Sequence, residues 1–239
     1  MEPAKQLPTA VQSVPFALDY LRGMFPPDLT ILPAMWGPLL ETVRMAFAGT
    51  LLATVSAIPL SFLAATNTAP NKTVCVLVRG LLNILRAMPA MIWAMLFVSL
   101  CGLGPLAGVF GITCHATGAL GKMFLECVEA TGPKIQEVLE AMRLDGAGDR
   151  KLIRYGLIPE ISPLFASYAL YRLEATIRTS TIMGFVGAGG LGLELTMAIR
   201  MFRRKEALAI ILAILILVVM VDFVSSYVRG RILRESGYE

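Results

Sequence analysis

The segment Glu140–Pro159, EAMRLDGAGDRKLIRYGLIP, is the longest charged amphipathic stretch in the interior of an otherwise apolar chain. Gly146 and Gly148 separate two halves that can each form a helix, so the segment predicts a helix, a sharp turn and a second helix in water. Apolar runs long enough to cross a bilayer lie on both sides of it. We therefore expect a water-facing elbow inside a membrane protein, at a place where a soluble partner can dock.

The composition indicates the same class of protein. Of the 239 residues, 56% are hydrophobic and 16% are charged, and the mean hydropathy is +0.70. Soluble domains carry about a quarter of charged residues, so this chain is too apolar for that class. The net charge of +4 is modest, and its basic residues form short clusters between apolar runs. This pattern does not favour nucleic-acid binding, and the first 15 residues lack the apolar core of a cleavable signal peptide.

Five apolar segments are predicted to cross the membrane as helices, so we expect an all-α integral membrane protein. Glycine and proline between 102 and 105 divide one long uncharged run into two spans joined by a tight hairpin. We also expect an interfacial helix within 11–25 and a short basic helix before the last span. The predicted spans are Met45–Ala65, Gly80–Cys101, Leu106–Cys127, Ile161–Ile182 and Ala207–Val224.

Lysine and arginine residues predict the orientation, because they are enriched in cytoplasmic loops. With the elbow inside, the inner loops hold more of these residues than the outer ones. The basic cluster around Arg203 then lies outside, where it can attract an anion or a docked partner.

Nucleotide-binding motifs are absent or out of context. Gly121-Lys122 lacks the remainder of a Walker A sequence, so we expect no ATP site of that kind. Gly187–Gly192 matches G-x-G-x-x-G but follows a membrane helix rather than a strand. These glycines predict a backbone bend at which helices approach closely.

Neither a metal site nor an enzyme is expected. The four cysteines are far apart in sequence and the chain has one histidine, His115, which we interpret as a hydrogen-bonding group between helices. The scattered carboxylates offer no convergent acid, base and nucleophile.

Charged residues within the fourth predicted span are the remaining signal, because ionisable groups in hydrocarbon usually face a cavity or a partner. Glu174 and Arg178 are four residues apart and share a helix face, whereas Arg172 lies nearer another face. Two interpretations remain open: a structural ion pair with a snorkelling arginine, or arginines that line a path for an anion. Arg86 and Lys122 are weaker candidates for the same path.

The elbow motif E-A-M-x-x-x-G, followed after nine residues by G-L-I-P, resembles the EAA loop of ABC-importer permeases. Met142, Gly156 and Ile158 depart from the usual pattern. Ser167–Gly192 and Cys101–Glu126 are similar to the permeases of phosphonate-type ABC importers. The resemblance covers roughly 26–231, nearly the whole chain.

The resemblance implies the fold of a MetI-like type I ABC importer permease. It implies an N-terminal extension over 1–36, a transmembrane domain over 37–231 with a coupling loop at about 128–159, and a tail over 232–239. Many members of the family carry one more helix ahead of this region, which suggests a shorter variant or a trimmed start. By resemblance the outer bend contains Gly187, Gly189, Gly190 and Gly192, and the residues that dock on the ATPase are Glu140, Ala141, Gly146, Ala147 and Arg150.

The resemblance also implies the partners. They are a second copy of the chain, two separate ATPase subunits that bind the ATP, a substrate-binding protein and membrane lipid, with no cofactor held by the chain itself. A phosphonate, a phosphite or a related phosphorus oxyanion such as phosphate is the expected cargo, and a bacterial inner membrane is the expected location. The alternatives are a methionine- or molybdate-type importer, and a secondary anion transporter that needs no ATPase.

Overall fold

The computed structural model describes residues 15, 18–144 and 158–235, and of 131–144, 233 and 235 it describes only the backbone. All regular structure within these ranges is helical. Short 3-10 segments at Leu29–Met35 and Gly184–Val186 precede the first and sixth α-helices. The α-helices are α1 (Trp36–Ala64), α2 (Lys72–Ala87), α3 (Ala90–Cys101), α4 (Pro105–Leu144), α5 (Ile158–Met183), α6 (Gly190–Arg200) and α7 (Arg204–Glu235).

Helix α4 lies at the centre and packs against α1, α2, α3 and α5. Glycines in α4 make this packing possible, because the backbones of the neighbouring helices come close to α4. A Cβ atom on Gly111 would lie 2.7 Å from the amide nitrogen of Ala94 in α3, and one on Gly118 would lie 2.5 Å from that of Arg86 in α2. Small residues at such positions are what let helices pack tightly in membranes, where no hydrophobic driving force acts between them.

The largest buried cluster joins α4 to α1, α2 and α5. Phe124 of α4 is fully buried and stacks on Phe165 of α5 with ring centroids 4.0 Å apart. Leu82 of α2 and Ala57 of α1 are buried in the same cluster. This packing fixes the position of α5, which carries the charged residues of the fourth predicted span.

Length and hydropathy identify two described helical stretches that can each cross a membrane alone, and two further candidates that are bent pairs of helices. The helices of one pair meet at 90° and those of the other at 46°. The two single stretches are Leu29–Ala64 and Arg204–Ile232; the pairs are Lys72–Ala87 with Ala90–Cys101, and Ile158–Val186 with Gly190–Arg200.

Two local predictions were wrong. The span predicted over 80–101 is not one continuous helix: it belongs to a pair of helices that meet at 90° between Ala87 and Ala90, and this pair together remains a candidate span. Pro89 causes the break, because it lacks an N–H donor and disfavours the helical conformation of the residue before it. The basic residues near Arg203 do not form one short helix: α6 ends at Arg200 and α7 begins at Arg204.

The predicted hairpin is present. Helix α3 ends at Cys101 and α4 begins at Pro105, and both Gly102 and Gly104 have a positive φ. Of the predicted interfacial helix, residues 18–22 are helical and most of the preceding ones lie outside the described residues. The proposed limits of the extension, membrane domain and tail stay predictions.

Candidate functional site

The glycine-rich bend between α5 and α6 is held by α1. The backbone N–H of Gly190 donates to Glu41 Oε2 at 3.0 Å, and that of Leu191 donates to Thr42 Oγ1 at 2.9 Å. These contacts satisfy donors that the first turn of α6 leaves without intrahelical partners, and the carboxylate suits the positive end of the helix dipole. The position that an anionic ligand would take at this helix start is therefore filled by Glu41.

Glycine is required at several positions of this bend. Gly187, Gly189 and Gly190 all have φ between +69° and +88°, and a Cβ atom on Gly192 would lie 1.8 Å from a carbonyl oxygen of α5. The predicted bend with close approach of helices is thus present. Its role at the outer end of a pathway stays a prediction.

The two charged residues predicted to pair on α5 do so. Arg178 Nη2 lies 3.1 Å from Glu174 Oε1, and Arg178 Nη1 lies 3.2 Å from Asp222 Oδ2 of α7. Asp222 is the one charged residue of the span predicted over Ala207–Val224, and its partner cannot be inferred from spacing along one helix. The pair of Arg178 with Asp222 links α5 to α7. Because the cluster contains one cation and two carboxylates, it has no surplus positive charge. This geometry favours the structural interpretation of the pair.

Arg172 has a different environment from Arg178. Its side chain is half-buried, and its Nε atom is buried without a hydrogen-bond acceptor in the described part of the chain. It lies seven residues before Thr179, which places both on one face of α5. A buried guanidinium donor without an acceptor is costly, so this face of α5 can accept a polar ligand or water. Whether Arg172, Glu174 and Arg178 line a pathway stays a prediction.

A cavity of about 430 Å³ opens at the break between α2 and α3. Its polar lining residues are Arg86 of α2, His115 of α4 and Thr179 of α5, and the others are apolar. His115 Nδ1 lies 3.0 Å from the carbonyl oxygen of Met88, which the break leaves without a helical donor. The interpretation of His115 as a hydrogen-bonding group between helices agrees with this contact. Lys122 pairs with Glu126 at 3.3 Å and does not line the cavity.

Glu129 of α4 holds the connection between α1 and α2, a contact that sequence reasoning missed. Its carboxylate accepts hydrogen bonds from the Thr66 backbone N–H at 2.8 Å and hydroxyl at 2.7 Å, and it pairs with Arg79 of α2. Asn67 donates to the carbonyl oxygen of Val128 at 2.9 Å. Burial acts to raise the pKa of Glu129, but the Thr66 hydrogen bonds and Arg79 together hold this pKa below its usual value. The signal in the sequence that could have indicated this contact is the position of Glu129, a carboxylate just after an apolar run.

The residues predicted to dock on the ATPase fall at the edge of the described ranges. Glu140 and Ala141 lie in the last turns of α4, of which the backbone is described. Gly146, Ala147 and Arg150 lie outside the described residues. Their role stays a prediction.

The basic cluster at the start of α7 is partly neutralised. Arg203 pairs with Glu206 at 3.4 Å, and the guanidinium of Arg204 lies 4.6 Å from the centre of the Tyr20 ring. Within the described ranges no group of three or more histidine, cysteine, aspartate or glutamate side chains could hold a metal ion.

A comparison with protein families identifies the chain. The model described as "Binding-protein-dependent transport system inner membrane component" matches residues 57–234. The chain belongs to this family. The predicted class, an all-α permease of this type, is thereby confirmed, and the family consists of membrane components of transport systems.

Two individual relatives of this inner membrane component are permeases of phosphite transport systems by name. HtxC of Stutzerimonas stutzeri, a permease assigned to a phosphite transport system, is 40% identical over 228 residues, which cover 95% of this chain and 80% of HtxC. PtxC of the same species, a phosphite transport system permease protein, is 37% identical over 221 residues, 92% of this chain and 79% of PtxC. The predicted resemblance to phosphonate-type ABC permeases is therefore confirmed.

A solved structure shows the same fold for this inner membrane component. A chain of the inward-facing MetNI methionine ABC transporter superposes with a TM-score of 0.72 at 21% identity, over 86% of this chain and 99% of that chain. At that identity the match concerns the fold alone. The predicted MetI-like architecture is confirmed.

Proposed function

We propose that this chain is the permease subunit of an ABC importer that carries a phosphorus oxyanion, a phosphonate or a phosphite. The observation that carries the proposal is the identity of 37% to 40% with two permeases of phosphite transport systems over most of both chains. The charges agree with an anionic cargo, because Arg86 and Arg172 have no carboxylate partner among the described residues. The chain itself performs no hydrolysis in this scheme.

The mechanism needs three partners. A binding protein delivers the anion to the outer side of a bacterial inner membrane, and two copies of this chain enclose the pathway between them. Two separate ATPase subunits close on ATP and push on the elbow after α4. Their closure moves the subunits as rigid bodies between inward-open and outward-open states. ATP shifts the equilibrium between these states because it binds one of them better than the other.

The experiment is uptake of labelled methylphosphonate into proteoliposomes that contain this chain, its ATPase and its binding protein. We expect uptake that requires ATP, is not supported by a non-hydrolysable analogue, and is competed by phosphite but not by sulfate. Uptake that is indifferent to nucleotide would instead indicate a secondary anion transporter. ATP-dependent uptake of methionine or molybdate without uptake of any phosphorus oxyanion would overturn the proposed cargo.

A further inference from the structure

The break between α2 and α3 opens a cavity inside a predicted membrane span. The two helices meet at 90° and the cavity of about 430 Å³ is lined by Arg86, Pro89 and His115 together with α5. Broken backbone at membrane depth is tolerated only where it is buried in protein or lines a water-filled space. The cavity is in the size range of ligand sites and exceeds what a small oxyanion with a few waters needs.

The cavity has a positive charge that no described carboxylate balances. Arg86 is exposed and makes no hydrogen bond or ion pair with the described residues. Arg172, seven residues before Thr179 on α5, does not line the cavity, although its Nε atom has no acceptor among the described residues. The carboxylates of Glu174 on α5 and of Asp222 on α7 are both engaged by Arg178. No aspartate or glutamate lines the cavity.

The remaining polar groups of the cavity are hydrogen-bond acceptors. The Thr179 hydroxyl donates its hydrogen to the carbonyl oxygen of Ala175 at 3.0 Å, which leaves the lone pairs of Thr179 Oγ1 available. When a neutral His115 ring donates Nδ1–H to Met88, its Nε2 atom is an acceptor. One unpaired cation, Arg86, and hydrogen-bond acceptors beside it suit an anion that still carries one O–H hydrogen.

We propose that this cavity is a binding site, within each permease subunit, for a tetrahedral phosphorus oxyanion that retains a P–OH group. Arg86 offsets the negative charge, while Thr179 or His115 accepts the P–OH hydrogen. The inference rests on the proposed function and adds to it the place where the anion binds and the basis of its selectivity against sulfate. Sulfate carries no O–H at neutral pH, so it would leave the acceptors facing oxygen lone pairs and binds more weakly.

Direct binding without the binding protein tests the site. Labelled methylphosphonate is added to the permease–ATPase complex in lipid nanodiscs at constant ionic strength, and bound label is measured by equilibrium dialysis. Loss of one charge-assisted hydrogen bond weakens binding by about tenfold or more, so we expect at least this loss for Arg86→Gln and partial recovery for Arg86→Lys. Arg231→Gln is the matched control, because Arg231 lies on α7, does not line the cavity, and contacts Tyr227.

A second variant tests the acceptors without changing the charge. Thr179→Val keeps the shape of the side chain, so we expect it to reduce the preference for methylphosphonate over sulfate while size-exclusion profiles stay those of the unaltered complex. Equal binding by the unaltered complex, Arg86→Gln and Thr179→Val would overturn the site. If the unaltered complex still takes up methylphosphonate with its binding protein in that case, the proposed function stands alone. If it takes up no phosphorus oxyanion at all, the function and the site both fail.

Discussion

Glu41 of α1 accepts a hydrogen bond from the backbone N–H of Gly190, a residue 149 positions later, at 3.0 Å. This contact and its neighbour from Leu191 to Thr42 hold the start of α6 against the N-terminal part of α1. The G-x-G-x-x-G motif therefore serves a helix-to-helix junction. Its amide donors bind a carboxylate of the same chain rather than a phosphate.

Removal of this contact is expected to loosen the bend. Glu41→Ala should lower the free energy of unfolding by about 1 kcal/mol, the usual effect of losing a helix N-terminal cap. Glu41→Gln keeps an acceptor oxygen at the same place and is expected to lose less. Thermal unfolding of the purified protein in detergent measures both, and identical midpoints for the Ala variant and the unaltered protein would contradict the role of this contact.

Gly118 is expected to tolerate no side chain. Gly118→Ala places a Cβ atom 2.5 Å from the Arg86 amide nitrogen, so α4 and α2 must move apart at a backbone contact that has no flexible side chain to yield. Overpacking of this kind costs about 1–3 kcal/mol. Gly80→Ala is the control, because nothing lies within 4 Å of its Cβ position on α2. We expect the midpoint temperature of thermal unfolding to fall for Gly118→Ala and to stay level or rise for Gly80→Ala.

The bridge from Arg178 to Asp222 is expected to contribute modestly to the packing of α5 on α7. Both side chains are more than a third exposed, and measured couplings of exposed pairs and of polar contacts between membrane helices are about 0.5 kcal/mol. A double-mutant cycle with Arg178→Gln and Asp222→Asn measures the coupling energy between the two side chains. A coupling energy of zero would show that the two residues do not interact in the folded protein.

Glu129 is expected to make stability depend on acid pH. Because its folded-state pKa lies below the unfolded value, its contribution is fully present above the unfolded pKa and is lost as the pH falls through the folded pKa. The difference in thermal stability between the unaltered protein and Glu129→Gln should therefore be largest near neutral pH. It should shrink as the pH is lowered below the usual range of glutamate. A difference that stays constant with pH would contradict this assignment.

Gly146→Arg is expected to uncouple transport from the ATPase. A bulky cation at the predicted turn of the elbow obstructs docking, so ATP-driven uptake in proteoliposomes should be abolished while membrane insertion is retained. Gly230→Arg on α7 provides a comparison, because nothing lies within 4 Å of its Cβ position. Unchanged uptake by Gly146→Arg would remove the proposed role of the elbow.

The hairpin turn after Cys101 and the pairing of Glu174 with Arg178 could be predicted because both depend on residues close in sequence. Four-residue spacing determines which side chains share a helix face, and glycine and proline mark turns such as that between Cys101 and Pro105. The right-angle break at Pro89 was within reach of the same rules. The long apolar run around it concealed the break, because hydropathy does not distinguish one straight helix from two bent ones.

The sequence by itself determined the class of this protein, an all-helical membrane permease, because apolar runs and motif spacing are local properties of the chain. The tertiary structure decided which polar groups meet. Glu41 with Gly190, Glu129 with Thr66 and Arg178 with Asp222 are 149, 63 and 44 residues apart. The cavity at Arg86 and His115 likewise requires four helices to converge. Such contacts depend on how helices pack, and packing is set by shape complementarity between distant segments, which no local pattern encodes.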